Sequence, residues 1–213
     1  MARFRLTNPL VTADSSVQQN FEGIQSYLNK LAPTVPVVTT LPTSPADGTV
    51  IDYIADSTNG VVWRFRYRAA SGSAYKWEFV GGSPLRSTAG GTATTSDTLV
   101  SVSGPSITLP FDGDYRILFG FYGMLSGATN GGSAEGNARI GGTPVGYVAR
   151  AGTDTNIGAD GARFTTVAVT TGPHGGTASQ VVDVWGRRNS AGAGGGTAFL
   201  NNMWLEVAPV RVG

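Results

Sequence analysis

The sequence contains no cysteine and only one histidine, His174. Without cysteine the protein forms no disulfide and holds no metal through thiolates. The sequence has one histidine and no G-x-S-x-G turn, so a single chain has too few suitable residues for a Ser-His-Asp triad or a zinc site. We therefore expect a protein that is not an enzyme and that binds no metal or cofactor.

Charge is also scarce, since charged residues make up 14% of the chain and the formal net charge is +1. A protein so close to neutral has no overall field that attracts nucleic acid or an anionic membrane. No apolar run approaches the roughly 18 residues of a membrane span. The first residues include Arg3, Arg5 and Pro9 but no apolar segment of a signal peptide. We expect a soluble protein made without a classical export signal, with neither nucleic-acid binding nor membrane insertion.

Glycine is abundant, with 31 residues, and Val, Thr and aromatic residues outnumber the helix formers Glu and Lys. This composition favours short strands joined by tight turns. We predict a mainly β fold with a short N-terminal coiled-coil helix, a small three-stranded antiparallel meander and a C-terminal antiparallel β-sandwich or jelly roll. The predicted parts are an attachment segment and helix at 1–32, a Pro- and Thr-rich linker at 33–48, the meander domain at 49–86 and the head domain at 87–213.

The N-terminal segment carries five apolar residues at alternate spacings of four and three, which is the seam of a left-handed coiled coil. Pro33 ends the helix, because proline lacks the amide donor. So short a helix is marginal alone and needs partner copies or a docking surface on its own domain. The predicted oligomerisation seam is Val17, Phe21, Ile24, Leu28 and Leu31.

Aromatic and charged residues alternate along residues 63–68 and again along 75–79. A period of two places the aromatic rings on one face of the strands and the charges on the other. If Tyr67 pairs with Tyr75, then Arg64 lies opposite Glu78. So small a sheet cannot bury six rings alone, so this face must pack on the linker, the head domain or a neighbouring chain. The predicted aromatic packing face is Trp63, Phe65, Tyr67, Tyr75, Trp77 and Phe79.

Beyond residue 87, strand-like runs alternate with Gly-rich loops at a spacing typical of a sandwich or jelly roll. The predicted strands are 98–102, 106–109, 114–125, 135–140, 145–149, 162–171, 178–187 and 197–212.

Two sites of possible chemistry have simpler explanations. His174 lies in a glycine-rich segment, which is a poor platform for a catalytic base and favours an exposed loop residue. The remaining alternative is a metal site formed by three copies of His174 that meet on the axis of a trimer. Asp112 and Asp114 could be a glycosidase pair, yet Asp-Gly between apolar residues is a hairpin-turn signal.

Two further patterns are also weak. Asp154, Asn156 and Asp160 resemble a calcium loop, but Gly158 replaces a ligand and no Glu closes the loop, so a turn is favoured. Residues 63–68 could be a platform for single-stranded nucleic acid, which needs aromatic and basic residues on one exposed face. Strict alternation separates the two and favours a packed aromatic core.

Residues 41–85 resemble a module of minor structural proteins of tailed bacteriophages, especially those of actinobacterial hosts. The similarity lies in Leu-Pro-Thr-Ser-Pro-Ala-Asp-Gly at 41–48, in Gly-Val-Val-Trp-Arg-Phe-Arg-Tyr-Arg at 60–68 and in Tyr-Lys-Trp-Glu-Phe-Val-Gly-Gly-Ser-Pro-Leu at 75–85. The head domain, through residues 110–115 and 203–207, is similar to the trimeric jelly-roll heads of phage fibres and of proteins of the tumour-necrosis-factor and C1q type.

These resemblances imply a homotrimeric minor tail or fibre-like protein, assembled in the host cytoplasm and located in the virion, more on the tail than on the capsid. Its partners would be its own copies, other virion structural proteins and a host cell-surface glycan. A capsid-decorating or head-fibre protein is the alternative, and a cell-wall glycan hydrolase a remote one. Candidate contact loops are 127–133, 152–161, 172–177 and 191–196.

Overall fold

The computed structural model describes residues 22–24, 35–126, 132–151, 165–190 and 196–213. The chain divides into two units, Met1–Pro36 and Val37–Gly213. In the first unit residues 22–24 are helical, and Ile24 is 53% exposed. The other members of the predicted seam, Val17, Phe21, Leu28 and Leu31, lie outside the described residues, so the coiled coil stays a prediction. Within the described residues there is no helix long and apolar enough to span a bilayer.

The second unit is built from strands, which confirms the mainly β prediction. Within the described residues there are twelve strands. They are β1 Val37–Val38, β2 Val50–Asp56, β3 Val61–Tyr67, β4 Trp77–Gly82, β5 Leu85–Thr94, β6 Val100–Thr108, β7 Gly113–Ser126, β8 Gly132–Ile140, β9 Thr143–Ala151, β10 Thr165–Gly176, β11 Val181–Ser190 and β12 Thr197–Val212.

Eight of these strands form a β-sandwich. One layer has the order β5-β12-β7-β10 and the other the order β6-β11-β8-β9, with antiparallel pairing throughout. Alternate residues of β7 and β12 point between the layers and are fully buried, because apolar side chains on the inner faces of two sheets are removed from water together. These inward residues include Tyr115, Ile117, Phe119, Leu200 and Leu205.

The meander extends the first layer sideways. Strands β1 to β4 continue that sheet beyond β12, and β4 and β5 follow one another along the same edge of β12. The predicted boundary between residues 86 and 87 therefore falls inside β5 and separates no compact units. The linker is also part of the unit from Val37 onward, because Val38 and Leu41 are apolar and pack against the core.

The predicted pairing in the meander is wrong by two residues. Tyr67 pairs with Trp77, and Phe65 pairs with Phe79. A bulge between Arg64 and Phe65 then brings Trp63 opposite Gly82 of β4, so the ring that faces Trp63 across the strands is Tyr53 of β2. Tyr75 lies before β4, where side-chain hydroxyls of nearby serines hold the turn. Turn chemistry fixed this register, and pairing of rings alone did not reveal it.

Strand predictions in the head fail where small residues dominate. The runs 98–102 and 106–109 are one strand, β6, and β5 was not predicted because its sequence, Leu-Arg-Ser-Thr-Ala-Gly-Gly-Thr-Ala-Thr, has little apolar bulk. Most of the predicted loop 172–177 belongs to β10, which has a bulge after Thr171. These segments are strands because each pairs along its length with one long neighbour, β5 with β12, β6 with β11 and β10 with β7, which outweighs their weak propensity.

Candidate interaction faces

The outer side of the first layer is unusually apolar; we call it the apolar face and define it as Leu118, Tyr122, Met124, Phe199 and Trp204. These residues alternate with the inward residues of β7 and β12 and are half-buried. Trp204 pairs in register with Gly120, a residue without a side chain. The outer side of a solvated antiparallel sheet is normally polar. Central strands that are apolar on both sides indicate a sheet covered on both sides.

The outer side of the second layer is polar; we call it the arginine face, and it is centred on Glu135 of β8. The Glu135 carboxylate is fully buried, with 0% side-chain exposure, although it points away from the sandwich core. In register, Arg187 of β11 lies on one side of Glu135 and Arg150 of β9 on the other. Two cations from neighbouring strands therefore converge on one carboxylate.

The hydrogen bonds to Glu135 fill both of its oxygens. Oε1 accepts from Asn189 Nδ2 at 2.7 Å and from Ser133 Oγ at 3.2 Å, and it forms an ion pair with Arg150, whose Nε lies at 2.8 Å. Oε2 accepts from Arg187 Nε at 2.7 Å, and Arg187 Nη2 lies at 2.7 Å from the same oxygen. A buried carboxylate is tolerated only when it is paired and hydrogen-bonded in this way.

Electrostatics keeps Glu135 ionised. Burial alone would raise the pKa of Glu135, because it disfavours the charged form. The hydrogen bonds from Asn189 and Arg187 and the positive charges of Arg187 and Arg150 outweigh burial, so the pKa of Glu135 lies below its usual value. The carboxylate thus acts as a fixed negative charge that orients two guanidinium groups.

A second polar cluster continues the arginine face towards the β8–β9 turn. The Arg139 guanidinium lies 3.8 Å from the centre of the Trp185 ring, and Trp185 Nε1 donates to Asp183 Oδ2 at 3.0 Å. Burial raises the pKa of Asp183, and the Trp185 hydrogen bond and Arg139 only partly oppose this. Asn137 Oδ1, Arg139 Nε and Asp183 Oδ1 are buried without a hydrogen-bond partner. Such atoms are costly unless water or a bound molecule satisfies them.

Strand β9 bulges beside this cluster. The residues between Val145 and Ala149 are extra residues of β9 that lie opposite Asn137 of β8. Gly146 supplies the positive φ of 70° that the bulge requires. Asn137 Nδ2 donates to the Tyr147 carbonyl at 3.4 Å, while the Tyr147 side chain is 81% exposed. The bulge therefore presents a single aromatic ring at the rim of the arginine face.

A cleft of about 540 Å³ lies between the end of β2, the start of β5 and the end of β6. Its lining has apolar residues and hydroxyl groups but no aromatic ring. Its carboxylate, Asp56, accepts hydrogen bonds from the Thr58 and Asn59 amides and from the Asn59 side chain, which lower its pKa and hold the β2–β3 turn. The one carboxylate in the cleft thus has a structural role, which is to hold this turn.

The residues of the predicted aromatic face lie in and around the core. Trp63 and Phe65 are fully buried, Trp77 is 3% exposed, and Tyr67 and Phe79 pack against the core. Tyr75 is half-buried. Because the rings of Trp63 and Phe65 are inaccessible, bases cannot stack on them. The arginines on the other side pair with acids instead, as Arg64 does with Asp52 at 2.7 Å.

The other candidate residues are not brought together. His174 lies in β10 opposite Tyr115 and is half-buried with Nε2 unpaired. Asp112 precedes β7, and its Oδ1 accepts from the Ala178 amide at 2.7 Å. The predicted hairpin at Asp112 is wrong, since β6 and β7 lie in different layers. Asp154, Asn156 and Asp160 lie outside the described residues. The described ranges hold no group of three or more His, Cys, Asp or Glu side chains that could bind a metal ion.

Sequence reasoning missed the arginine face. The period of β8 does place Glu135, Asn137 and Arg139 on one side, so the alternation was a usable signal. The order of the strands was not readable from the sequence, and only that order places Arg150 and Arg187 on either side of Glu135.

No family model and no curated protein sequence matches this chain. Among solved structures, the fold is similar to that of infectious bursal disease virus strain Gx, with 14% identity and a TM-score of 0.37 over 81% of this chain and 44% of that chain. It is also similar to the VP2 subviral particle of infectious bursal disease virus, with 12% identity and a TM-score of 0.34 over 81% and 46%. The chain spans less than half the length of these viral chains. Similarity at this level defines no family.

Proposed function

We propose that this chain is a virion structural protein, a homotrimeric tail or fibre-like component of a tailed phage whose sandwich head is exposed and whose N-terminal unit attaches it. The apolar face is the observation that supports self-association most. Large apolar side chains lie on the outer side of β7 and β12. When a second copy covers them, the free energy of the assembly falls by roughly 25 cal/mol per Å² of apolar surface buried.

The strand order supports the finer description of the head as a jelly roll. Two four-stranded layers, β5-β12-β7-β10 and β6-β11-β8-β9, are the arrangement that two Greek keys produce from eight consecutive strands. Jelly rolls serve capsids and lectins alike, so the order does not identify a function by itself. The virion assignment comes from the similarity of residues 41–85 to minor structural proteins of phages.

The proposed mechanism is multivalent attachment. A seam at Val17, Phe21, Ile24, Leu28 and Leu31 would hold three chains in parallel, so that the heads meet at high effective concentration. Because the seam is short, the apolar faces of the heads supply most of the association. Three heads on one stalk then contact a surface together, and weak individual contacts add to useful avidity.

Replacing Trp204 by glutamate is expected to dissociate the trimer. The carboxylate would be buried in the interface without a partner, which costs several kcal/mol. Sedimentation equilibrium should show a mass near that of the 22.0 kDa chain, while far-UV circular dichroism keeps its β signal because Trp204 lies outside the sandwich core. Tyr147→Glu is the control on the opposite layer and should leave the trimer intact. A trimer of unchanged stability in Trp204→Glu would rule out the apolar face as the interface.

Replacing Ile24 and Leu28 by aspartate tests the predicted stalk. We expect weaker association than in the wild type but a smaller loss than Trp204→Glu causes, since the heads contribute more. Sedimentation over a dilution series measures both. An unchanged dissociation constant would mean that the helix does not organise the assembly.

Position in the particle is tested by cryo-electron microscopy of purified virions. Density for the sandwich head on the tail supports the proposal. Density only on the capsid would reject the tail assignment and favour a capsid-decorating protein.

A further inference from the structure

We propose that the arginine face binds an acidic saccharide, and that Arg150 and Arg187 hold the carboxylate of one sugar unit. This assignment deepens the proposed function, because it places the host contact on the layer opposite the apolar face. It differs from the sequence-based expectation, which placed contacts on the Gly-rich loops.

The guanidinium groups that surround Glu135 also reach solvent. Arg150 meets Glu135 through Nε at 2.8 Å, and Arg187 meets it through Nε and Nη2 on a single oxygen. The side chain of Arg150 is 60% exposed and that of Arg187 is 30% exposed. A guanidinium edge with two parallel N–H groups matches a carboxylate in bidentate geometry.

The second step is preorganisation. Glu135 is buried, ionised and saturated with hydrogen bonds, so it fixes both arginines from beneath. Asn189 helps to hold the carboxylate in place through a 2.7 Å hydrogen bond. Little side-chain entropy is then lost when a ligand binds, which is the usual advantage of a supported site over isolated surface arginines.

The third step is the sign of the exposed charge. Three arginines, Arg139, Arg150 and Arg187, share this face with two acids, Glu135 and Asp183. Glu135 is fully buried and Asp183 is half-buried, whereas Arg150 is exposed. Solvent therefore meets positive charge, although the whole chain is close to neutral. An anionic group gains from this arrangement, and a neutral sugar gains much less.

The fourth step is the choice of a saccharide. The exposed Tyr147 ring, on the same strand as Arg150, offers an apolar surface, and Asn137 Oδ1 is an acceptor without a partner. Aromatic rings beside a few polar groups are typical of small-ligand sites. Two guanidinium groups, each already paired with Glu135, are too few for nucleic acid, whose phosphates follow one another every few ångström.

The test is binding of the full-length protein to oligogalacturonate, with dextran as the neutral probe and polyphosphate as the phosphate probe, measured by isothermal titration calorimetry. We expect binding to oligogalacturonate that weakens as salt shortens the Debye length, and none to dextran. Arg150→Gln should lower the affinity by roughly tenfold or more, which is the loss expected for a charge-assisted hydrogen bond. Tyr147→Ala should weaken binding as well.

The matched control is Arg64→Gln, because Arg64 is also a half-exposed arginine held by a carboxylate, Asp52, but lies in the meander. It should bind as the wild type does. Sedimentation of the same samples separates this inference from the proposed trimer, since Arg150→Gln should stay fully assembled. Equal affinity of Arg150→Gln and wild type, preference for polyphosphate, equal binding of dextran, or no binding would each overturn the assignment.

Discussion

Replacing Trp63 by alanine is expected to lower the free energy of unfolding by about 3–5 kcal/mol, the usual cost of truncating a fully buried large aromatic residue. Trp63 is 0% exposed, and its ring lies 6.1 Å from the Phe65 ring and 6.5 Å from the Phe79 ring, both edge-on. The indole Nε1 also donates to the Ser83 carbonyl at 2.8 Å. Alanine would leave a cavity and an unpaired carbonyl at once. Urea unfolding monitored by circular dichroism measures the change.

The effect should reach the head, because the meander and the sandwich share one sheet and one core. Phe111, which precedes β7, lies 4.7 Å from Tyr53 and 6.4 Å from Phe65 between ring centres. A single unfolding transition at lower urea is therefore expected. Trp63→Phe is the control and should lose less, since it keeps a ring in the cluster. A separate early transition confined to the meander, with the head unaffected, would contradict this account.

Replacing Glu135 by glutamine is expected to cost about 2–4 kcal/mol, because removing one partner of a buried ionic network leaves the others uncompensated. The glutamine amide would place its NH2 group against either Arg187 or Asn189, each of which is itself a donor at that position. Arg150 is exposed, so water can solvate its charge when the carboxylate is removed, and this brings the cost towards the lower end of that range. Thermal and urea unfolding both measure this change.

The same substitution should alter the pH dependence of stability. The folded-state pKa of Glu135 lies below its ordinary value, so its contribution is fully present above the unfolded pKa and is lost as the pH falls through the folded pKa. Wild type and Glu135→Gln should therefore converge in stability at acidic pH and differ most near neutrality. The control is Glu206→Gln, since Glu206 pairs with the exposed Arg86 at only 3.6 Å. A difference that stays constant at all pH values would exclude Glu135 as an ionised group.

The long apolar strands were the most predictable part of the fold. β12 matches the prediction at both ends and β7 within one residue, because near-continuous apolar runs of that length have few alternatives. The same runs hid the apolar face. A strand that is apolar on both sides looks alike whether its outer side packs on its own chain or on another.

The weak points of the prediction have a common physical origin. Strand β5 lacks apolar bulk, and it forms because β12 provides a full partner edge. The register of β3 and β4 depends on a bulge and on a serine-rich turn, neither of which alternation encodes. The carboxylate site at Glu135 depends on β11, which is far in sequence from β8 and β9. Tertiary pairing decides the first and third features and turn chemistry decides the second, and apolar alternation reveals none of them.

The central claim is that copies of this chain associate through the apolar face. Sedimentation equilibrium of the full-length wild-type protein at micromolar concentration measures this most directly. The account predicts a mass three times that of the 22.0 kDa chain, with dissociation on introducing Trp204→Glu. A wild-type protein that sediments at the mass of one chain would contradict it.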